Sequence, residues 1–289
     1  ATPNTPGSTR VISSTMAMSQ RYSGPLQYRF GKLWIDKAAR GVSRFEYVAR
    51  RDAGNFDRHG AFKIDTRYKD IQQTTGRAYP KYCLAPFRNG KPWSTDGMSS
   101  TEIKDQCVQV IAHDRGHLIP ANHFDHHEDI IEETQVDKMN RGAWFQTEMI
   151  IEYLREEEVV TVIGGAVYPP SSEKGKRTSP AEFFRDSHGV ITPTRFWKII
   201  AGEANGIHAS DNGLIAFWIP NAVEATAANT AKYTVSITKL EHNLKAAPGL
   251  SPYIKDWPAE AMIETFDLPQ SVKDHVPSLW NTLEGCDRA

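Results

Sequence analysis

Several stretches of the chain concentrate or alternate apolar residues as buried strands do. They are Phe45 to Arg50 (FEYVAR), Cys107 to Ala112 (CVQVIA), Val159 to Gly164 (VVTVIG), Phe196 to Ala201 and Leu214 to Ile219, the last closed by a Pro220-Asn221 turn signal. Tyr233 to Ile237 reads as one more short strand. Helical spacing is clearest over Asn140 to Glu157, where Trp144, Thr147, Ile151 and Leu154 recur at three- and four-residue steps. Thr238 to Asn243 looks like the start of another helix, and Glu128 to Glu133 like a short acidic one. Residues 52 to 107 are polar and punctuated by Gly and Pro. A stretch that long without periodicity is unusual inside a compact domain, and such loops often carry function.

The pattern predicts an α+β protein: a central, mostly antiparallel sheet with flanking helices. The first residues (ATPNTPGSTRVISST) are rich in Thr, Ser and Pro, and predict a flexible arm over 1–24 left after processing. No linker or repeat divides the rest of the chain, so 25–289 reads as a single domain. With 289 residues, 39% of them hydrophobic, burial can offset ordering entropy over most of that length. No apolar run approaches the length of a membrane span.

Charge narrows the functional classes only slightly. The net charge is −1, without the basic surplus usual in nucleic-acid binders. Any phosphate-binding groove must therefore be local. Three cysteines, Cys83, Cys107 and Cys286, are too few for a disulfide scaffold and lack zinc-type pairing. They read as buried thiols, with a Cys83–Cys107 disulfide as the alternative in an oxidising compartment.

Chemistry concentrates after Ala112. His117 falls just past a buried strand, at an edge, and an imidazole with an unperturbed pKa near 6.5 suits proton abstraction at neutral pH. Asp114 and Arg115 precede it, and Gly116 allows an unusual turn. A carboxylate can orient an imidazole, and a guanidinium can hold a phosphate through a two-pronged fork; the plainer alternative is a surface ion pair. Asn140 stands where the long helix begins, either as its cap or as an oxygen ligand for a hard cation such as magnesium, which takes few protein oxygens and keeps several waters. Glu148, eight residues on, would lie roughly 12 Å farther along a regular helix, leaning back towards Asn140. Two direct ligands do not fit that distance; Asn140 on the metal and Glu148 on a metal-bound water do. Trp144, between them, reads as core packing, and Gly142 as a point of close approach for another strand.

These residues resemble a known family. Asp114-Arg115-Gly116-His117 matches the DRGH motif of the DNA/RNA non-specific endonucleases, and Asn140 to Glu148 resembles their N-x-x-x-W-x-x-x-E helix. Thr192 to Lys198 resembles a P-x-x-F-x-K strand, Ala216 to Asn221 an A-F-x-x-P-N segment, and Tyr233 to Ile237 with Leu240-Glu241 a closing strand and helix. The likeness runs over about residues 27 to 255; Gly31 and the strand near Tyr47 also fit the endonuclease G-like branch.

The resemblance implies a ββα-metal finger and a Mg²⁺-dependent hydrolase, with Mn²⁺ as a substitute, that cuts DNA and RNA through contacts to backbone phosphates. It implies His117 as general base, Asn140 as the single protein ligand of the cation, Glu148 as holder of its water shell, Arg115 on phosphate and Asp114 as support. It also implies an early-strand phosphate arginine, Arg50 or Arg51, with Arg50 the better fit. The endonuclease G-like branch further implies a homodimer and a mitochondrial site; a secreted branch would imply export. One departure stands out. The family's N-x-x-P-Q appears here as Ile131-Glu132-Glu133-Thr134-Gln135, with the Gln alone retained, so a supporting Asn is missing or supplied elsewhere, as by Asn122.

Two other readings compete. His123, His126 and His127 could form a zinc site, although no fourth ligand stands at a familiar spacing. The fold could also serve as a catalytically silent module that binds nucleic acid or a partner. Lys174-Gly175-Lys176-Arg177 is a basic loop that could touch phosphate or simply be solvated.

Overall fold

The computed structural model describes residues 22–29, 31–54, 87–88, 91–92, 99, 101–102, 113–120, 123, 132–157, 159–169, 191–202 and 214–246. The strand expected over Cys107–Ala112, the three cysteines, the basic loop at 174–177, Asn122, Ile131, His126 and His127 lie outside the described residues.

Six strands form the main sheet: β1 Tyr22–Gln27, β2 Gly31–Asp36, β3 Gly41–Ala49, β8 Val160–Val167, β9 Arg195–Gly202 and β10 Leu214–Pro220, in that spatial order. Every neighbouring pair among them is antiparallel. The fold is therefore α+β around a mostly antiparallel sheet, as the pattern predicts. β1 starts inside the stretch expected to be flexible, and β3 extends farther back than Phe45. A tight turn explains that extension: Asp36 Oδ1 accepts from the amides of Ala38 (2.9 Å) and Ala39 (3.1 Å), and Arg40 takes a left-handed φ of 59°.

Two small hairpins stand outside this sheet: β4 Phe87–Arg88 with β5 Lys91–Pro92, and β6 His113–His117 with β7 Glu132–Val136. Glu132 and Glu133, expected in an acidic helix, are thus in a strand. Their backbone pairs with that of the DRGH residues, His117 opposite Glu132 and Asp114 opposite Gln135.

Side-chain alternation divides the sheet into two faces. Phe45, Tyr47, Ala49, Val160, Val162, Phe196, Ile200, Ile215 and Phe217 face one core. The helix α1, Phe145–Glu157, completes it with Ile150, Ile151 and Leu154. On the other face Ile163, Trp197, Ile199 and Ala216 pack against helix α2, Ile237–Ala246, through Ile237, Leu240 and Leu244. Ser236 caps α2: its hydroxyl accepts from the Lys239 amide at 3.1 Å. This cap ends the strand expected over Tyr233–Ile237. Ala227–Tyr233 is instead a 3₁₀ turn, Thr234 makes a lone bridge to Phe217, and Ile237 is already helical.

The long helix is also interrupted. Asp137–Met139 leads into a wide π-type turn, Asn140–Trp144, before α1 begins at Phe145. Gly142 has φ −109° and ψ −110°, outside the helical region. A Cβ there would lie 2.8 Å from the Ala225 carbonyl oxygen and 2.9 Å from the Ala227 nitrogen. The expected close approach is real, but the approaching segment is the turn at Ala225–Ala227, tied by the Ala143 amide donating to the Ala225 carbonyl at 3.0 Å.

Candidate active site

The DRGH residues lie within strand β6, so His117 is part of the strand rather than just past it. Alternation turns Asp114 and Gly116 towards the π-type turn. There the Asp114 carboxylate, almost buried, accepts from Asn140 Nδ2 on Oδ2 (3.0 Å), from Arg141 Nε on the same oxygen (2.9 Å) and from Arg141 Nη2 on Oδ1 (3.0 Å). Asp114 thus holds Asn140, where the sequence suggested a carboxylate to orient the imidazole. Its bidentate partner is Arg141, which sequence reasoning passed over.

Asn140 was open between helix cap and cation ligand. Its amide nitrogen donates to Asp114, and the turn it opens has no side-chain cap. With the nitrogen committed, Oδ1 is the acceptor left facing Gly116: a Cβ at Gly116 would come within 2.7 Å of Asn140 Oδ1 and would overlap the Gln135 amide. Any side chain at 116 would displace both amides, which explains the glycine.

Gln135 is the second residue that sequence reasoning left without a role. It is fully buried; its Nε2 donates to the His117 carbonyl at 3.4 Å, and its Oε1 has no hydrogen-bond partner among the described residues. Two neutral amide oxygens, Asn140 Oδ1 and Gln135 Oε1, therefore converge beside Gly116 with a carboxylate behind them. A buried acceptor without a donor carries a cost unless a donor reaches it. Hard oxygens of this kind suit a largely hydrated divalent cation, one ligating directly and the other accepting from coordinated water. The residues present fit such an ion.

His117 is half-buried on the opposite side of the strand. Its carbonyl also accepts from Trp144 Nε1 at 2.8 Å. Trp144, fully buried, packs on Phe196 at 5.5 Å between ring centroids. It is core, as expected, and it also fixes the backbone that carries His117. The backbone of Arg115 pairs with Thr134; its side chain lies outside the described residues.

Glu148 stands in the first turn of α1, half-buried. The regular-helix phase that related it to Asn140 does not hold, because Gly142 breaks the helix between them. Its carbonyl accepts from His123 Nε2 at 3.2 Å. Since a carbonyl can only accept, Nε2 carries the proton, and Tyr47 donates its hydroxyl to Nδ1 at 2.7 Å. Both ring nitrogens of His123 are engaged, which removes it from the zinc reading. Burial, with Lys198 nearby, holds the His123 pKa well below 6.5. Among the described residues, no three His, Cys, Asp or Glu side chains gather in a metal-binding group.

Lys198, the last letter of the P-x-x-F-x-K segment, is also fully buried. It donates to Thr147 Oγ1 at 2.7 Å and sits 3.6 Å from the Trp144 ring centroid. Burial lowers its pKa from 10.5 to about 7, against the pull of the Glu148 carboxylate. Asn221, a turn signal and the last letter of the A-F-x-x-P-N segment, staples three segments: Oδ1 accepts from the Val136 amide (2.7 Å), Nδ2 donates to the Pro193 carbonyl (2.9 Å), and its own amide donates to the Thr194 carbonyl (3.0 Å). It seats the β6–β7 hairpin against the sheet.

The early arginines fall beyond the end of β3, so strand parity does not choose between them. Arg50 is exposed and its carbonyl accepts from Arg155 at 3.0 Å. Arg51, 81% exposed, lies 3.7 Å from Glu156. Among the described contacts, none joins the Arg50 side chain to Asp114, Asn140 or His117.

A family model described as DNA/RNA non-specific endonuclease matches residues 36–251, well over half of the chain. The chain belongs to that family. It is therefore a nuclease, a hydrolase that binds nucleic acid, in a family whose members depend on a metal. A solved structure of the EndoG/EndoGI complex is similar to this endonuclease at 20% identity and a TM-score of 0.45, covering 84% of this chain and 90% of that one. No curated protein matches the sequence significantly. No helix among the described residues of this endonuclease is long and apolar enough to cross a membrane.

Proposed function

We propose that the protein is a Mg²⁺-dependent endonuclease that hydrolyses phosphodiester bonds of DNA and RNA to 5′-phosphate and 3′-hydroxyl ends, with little regard to sequence. The observation that carries this reading is the Asn140–Asp114 hydrogen bond, which fixes the Asn140 amide with its oxygen towards Gly116 and the hairpin that bears His117. Asn140 would hold the cation directly, and Gln135 and Glu148 would accept from its water. Mn²⁺ would occupy the same oxygens. When bound, the cation supplies charge neutralisation at the phosphate and at the departing oxygen.

His117, neutral, takes a proton from the attacking water at its imidazole nitrogen. Its backbone carbonyl, held by Trp144 and Gln135, gives the ring a fixed base from which to reach the water. Arg115 and Arg50 supply guanidinium contacts to phosphate. Backbone phosphates carry no sequence information, so cutting tracks accessibility more than sequence. The active species is a homodimer in the mitochondrion, as the endonuclease G-like resemblance suggests.

Plasmid and RNA cleavage by wild type, H117A and N140A, with Mg²⁺, Mn²⁺ and EDTA, tests the chemistry. H117A should lose about 10² to 10⁴ in rate, and the wild-type rate should fall on the acid side as the imidazole takes a proton. A rate unchanged from about pH 8 to 5 would remove His117 as the base. Nucleic-acid binding that survives EDTA, with no cleavage by wild type or H117A, would replace this reading with a binding module.

A further inference from the structure

We infer that Arg141 is a positioning residue for Asn140, acting through Asp114. Asn140 and Arg141 are consecutive, and consecutive residues of a regular helix do not face a common partner. Here both reach one carboxylate, because the π-type turn is wide and Gly142 departs from helical geometry. The Asp114 side chain is 8% exposed, and that of Arg141 62%. The clamp is therefore anchored inside and closed from the surface.

The fork does something that the Asn140 contact alone does not. A carboxylate rotates over a broad torsional well, and one hydrogen bond from an amide leaves that rotation soft. Two parallel bonds from Arg141, Nε on Oδ2 and Nη2 on Oδ1, fix the carboxylate plane. Oδ2 is then held where Asn140 Nδ2 must lie. The flipped amide would set Asn140 Oδ1 against Asp114 Oδ2, two acceptors with no proton between them. Arg141 thereby keeps Asn140 Oδ1 turned to Gly116. It also neutralises an almost buried carboxylate, so its charge is already balanced before any phosphate arrives.

The inference rests on Asn140 as the cation's ligand, and the test separates the two. Mn²⁺ binding to the full chain without nucleic acid, measured by titration calorimetry, is compared for wild type, N140A, R141Q, R141K, D114A and D114A/R141Q, with circular dichroism melts as the folding control. R141Q should weaken Mn²⁺ by about tenfold. R141K, which keeps the charge but not the fork, should fall between R141Q and wild type. In the D114A background R141Q should add nothing. R141M carries the same expectation should R141Q not fold. Wild-type Mn²⁺ affinity in R141Q, or an equal loss from R141Q in both backgrounds, overturns the inference. If N140A loses Mn²⁺ and R141Q does not, the role of Arg141 alone fails. If N140A binds Mn²⁺ as wild type does, the ligand reading fails and this inference with it.

Discussion

Two polar clusters flank α1, and they differ in what they protect. At its entrance, Asp114, Asn140 and Arg141 form a clamp that is partly open to solvent and built from charged and amide groups. Along its length, the pairs Tyr47–His123, Lys198–Thr147 and Arg155–Glu152 form a polar network against the sheet, buried except at the partly exposed Glu152. The clamp turns Asn140 Oδ1 towards Gly116, where the proposed cation would sit. The network holds the helix that the site stands on. Polar groups near water can be lost at little cost in stability, whereas the same groups in the interior leave unpaired partners behind. Substitution of Arg141, 62% exposed, should therefore change chemistry more than folding, and substitutions in the network the reverse.

The strongest way to break that contrast is R155A. The Arg155 side chain is 2% exposed and bonds both carboxylate oxygens of Glu152, at 2.9 and 2.7 Å, along with the Arg50 carbonyl. Removing it leaves a carboxylate without its buried partner, at a cost of about 3–5 kcal/mol, read from urea midpoints. A loss below about 1 kcal/mol would place this pair with surface ion pairs. Y47F comes next. It strips the proton from the bond to His123 Nδ1 and should cost about 1–3 kcal/mol while leaving Mn²⁺ binding intact.

K198M sharpens the contrast through pH. The folded-state pKa of Lys198 is lowered from 10.5 to about 7. Between those values the unfolded chain binds more protons at this position than the folded one, so stability rises with pH across that window. Below the window both states are protonated, and the burden of burying the ammonium is fully present. Denaturant midpoints of wild type should climb relative to those of K198M from pH 7 upward; parallel curves would refute this. His123 adds a slope of the same sign in a separate window. It stays neutral in the fold while the unfolded imidazole takes a proton, so stability falls as the pH drops below 6.5. The smallest effect belongs to R51A, whose partner Glu156 is also exposed; it should change stability by less than about 1 kcal/mol.

The clamp and the network were unequally legible in the sequence. Strand cores such as Val159–Gly164 and Leu214–Ile219 arise from local alternation, and they recur nearly unchanged as β8 and β10. His117, Asn140 and Glu148 could be singled out because their residue types suit the proposed chemistry and their order resembles the family's motifs. Arg141 could not, since its meaning comes from a carboxylate in another strand. Lys198 was visible only as a letter in a motif, because nothing local says that a lysine flanked by Trp197 and Ile199 will be turned inward onto an indole. The phase between Asn140 and Glu148 went astray for a related reason. Spacing presumes a regular helix, and the widening at Gly142 is imposed by the turn at Ala225–Ala227, more than eighty residues later.

The seam between β3 and β8 bears on the order in which this protein is made. Ala49 pairs with Val160, so residues 50–159 must leave the ribosome before the central sheet can be joined. Until then the three N-terminal strands present an unsatisfied edge, open to wrong pairing, and the closing contact is a long-range one of the kind that slows folding. Asp114, His117, Asn140 and Glu148 all emerge during that wait. A chain arrested just short of Val160 would hold every one of them and lack the strand that joins the two halves of their platform.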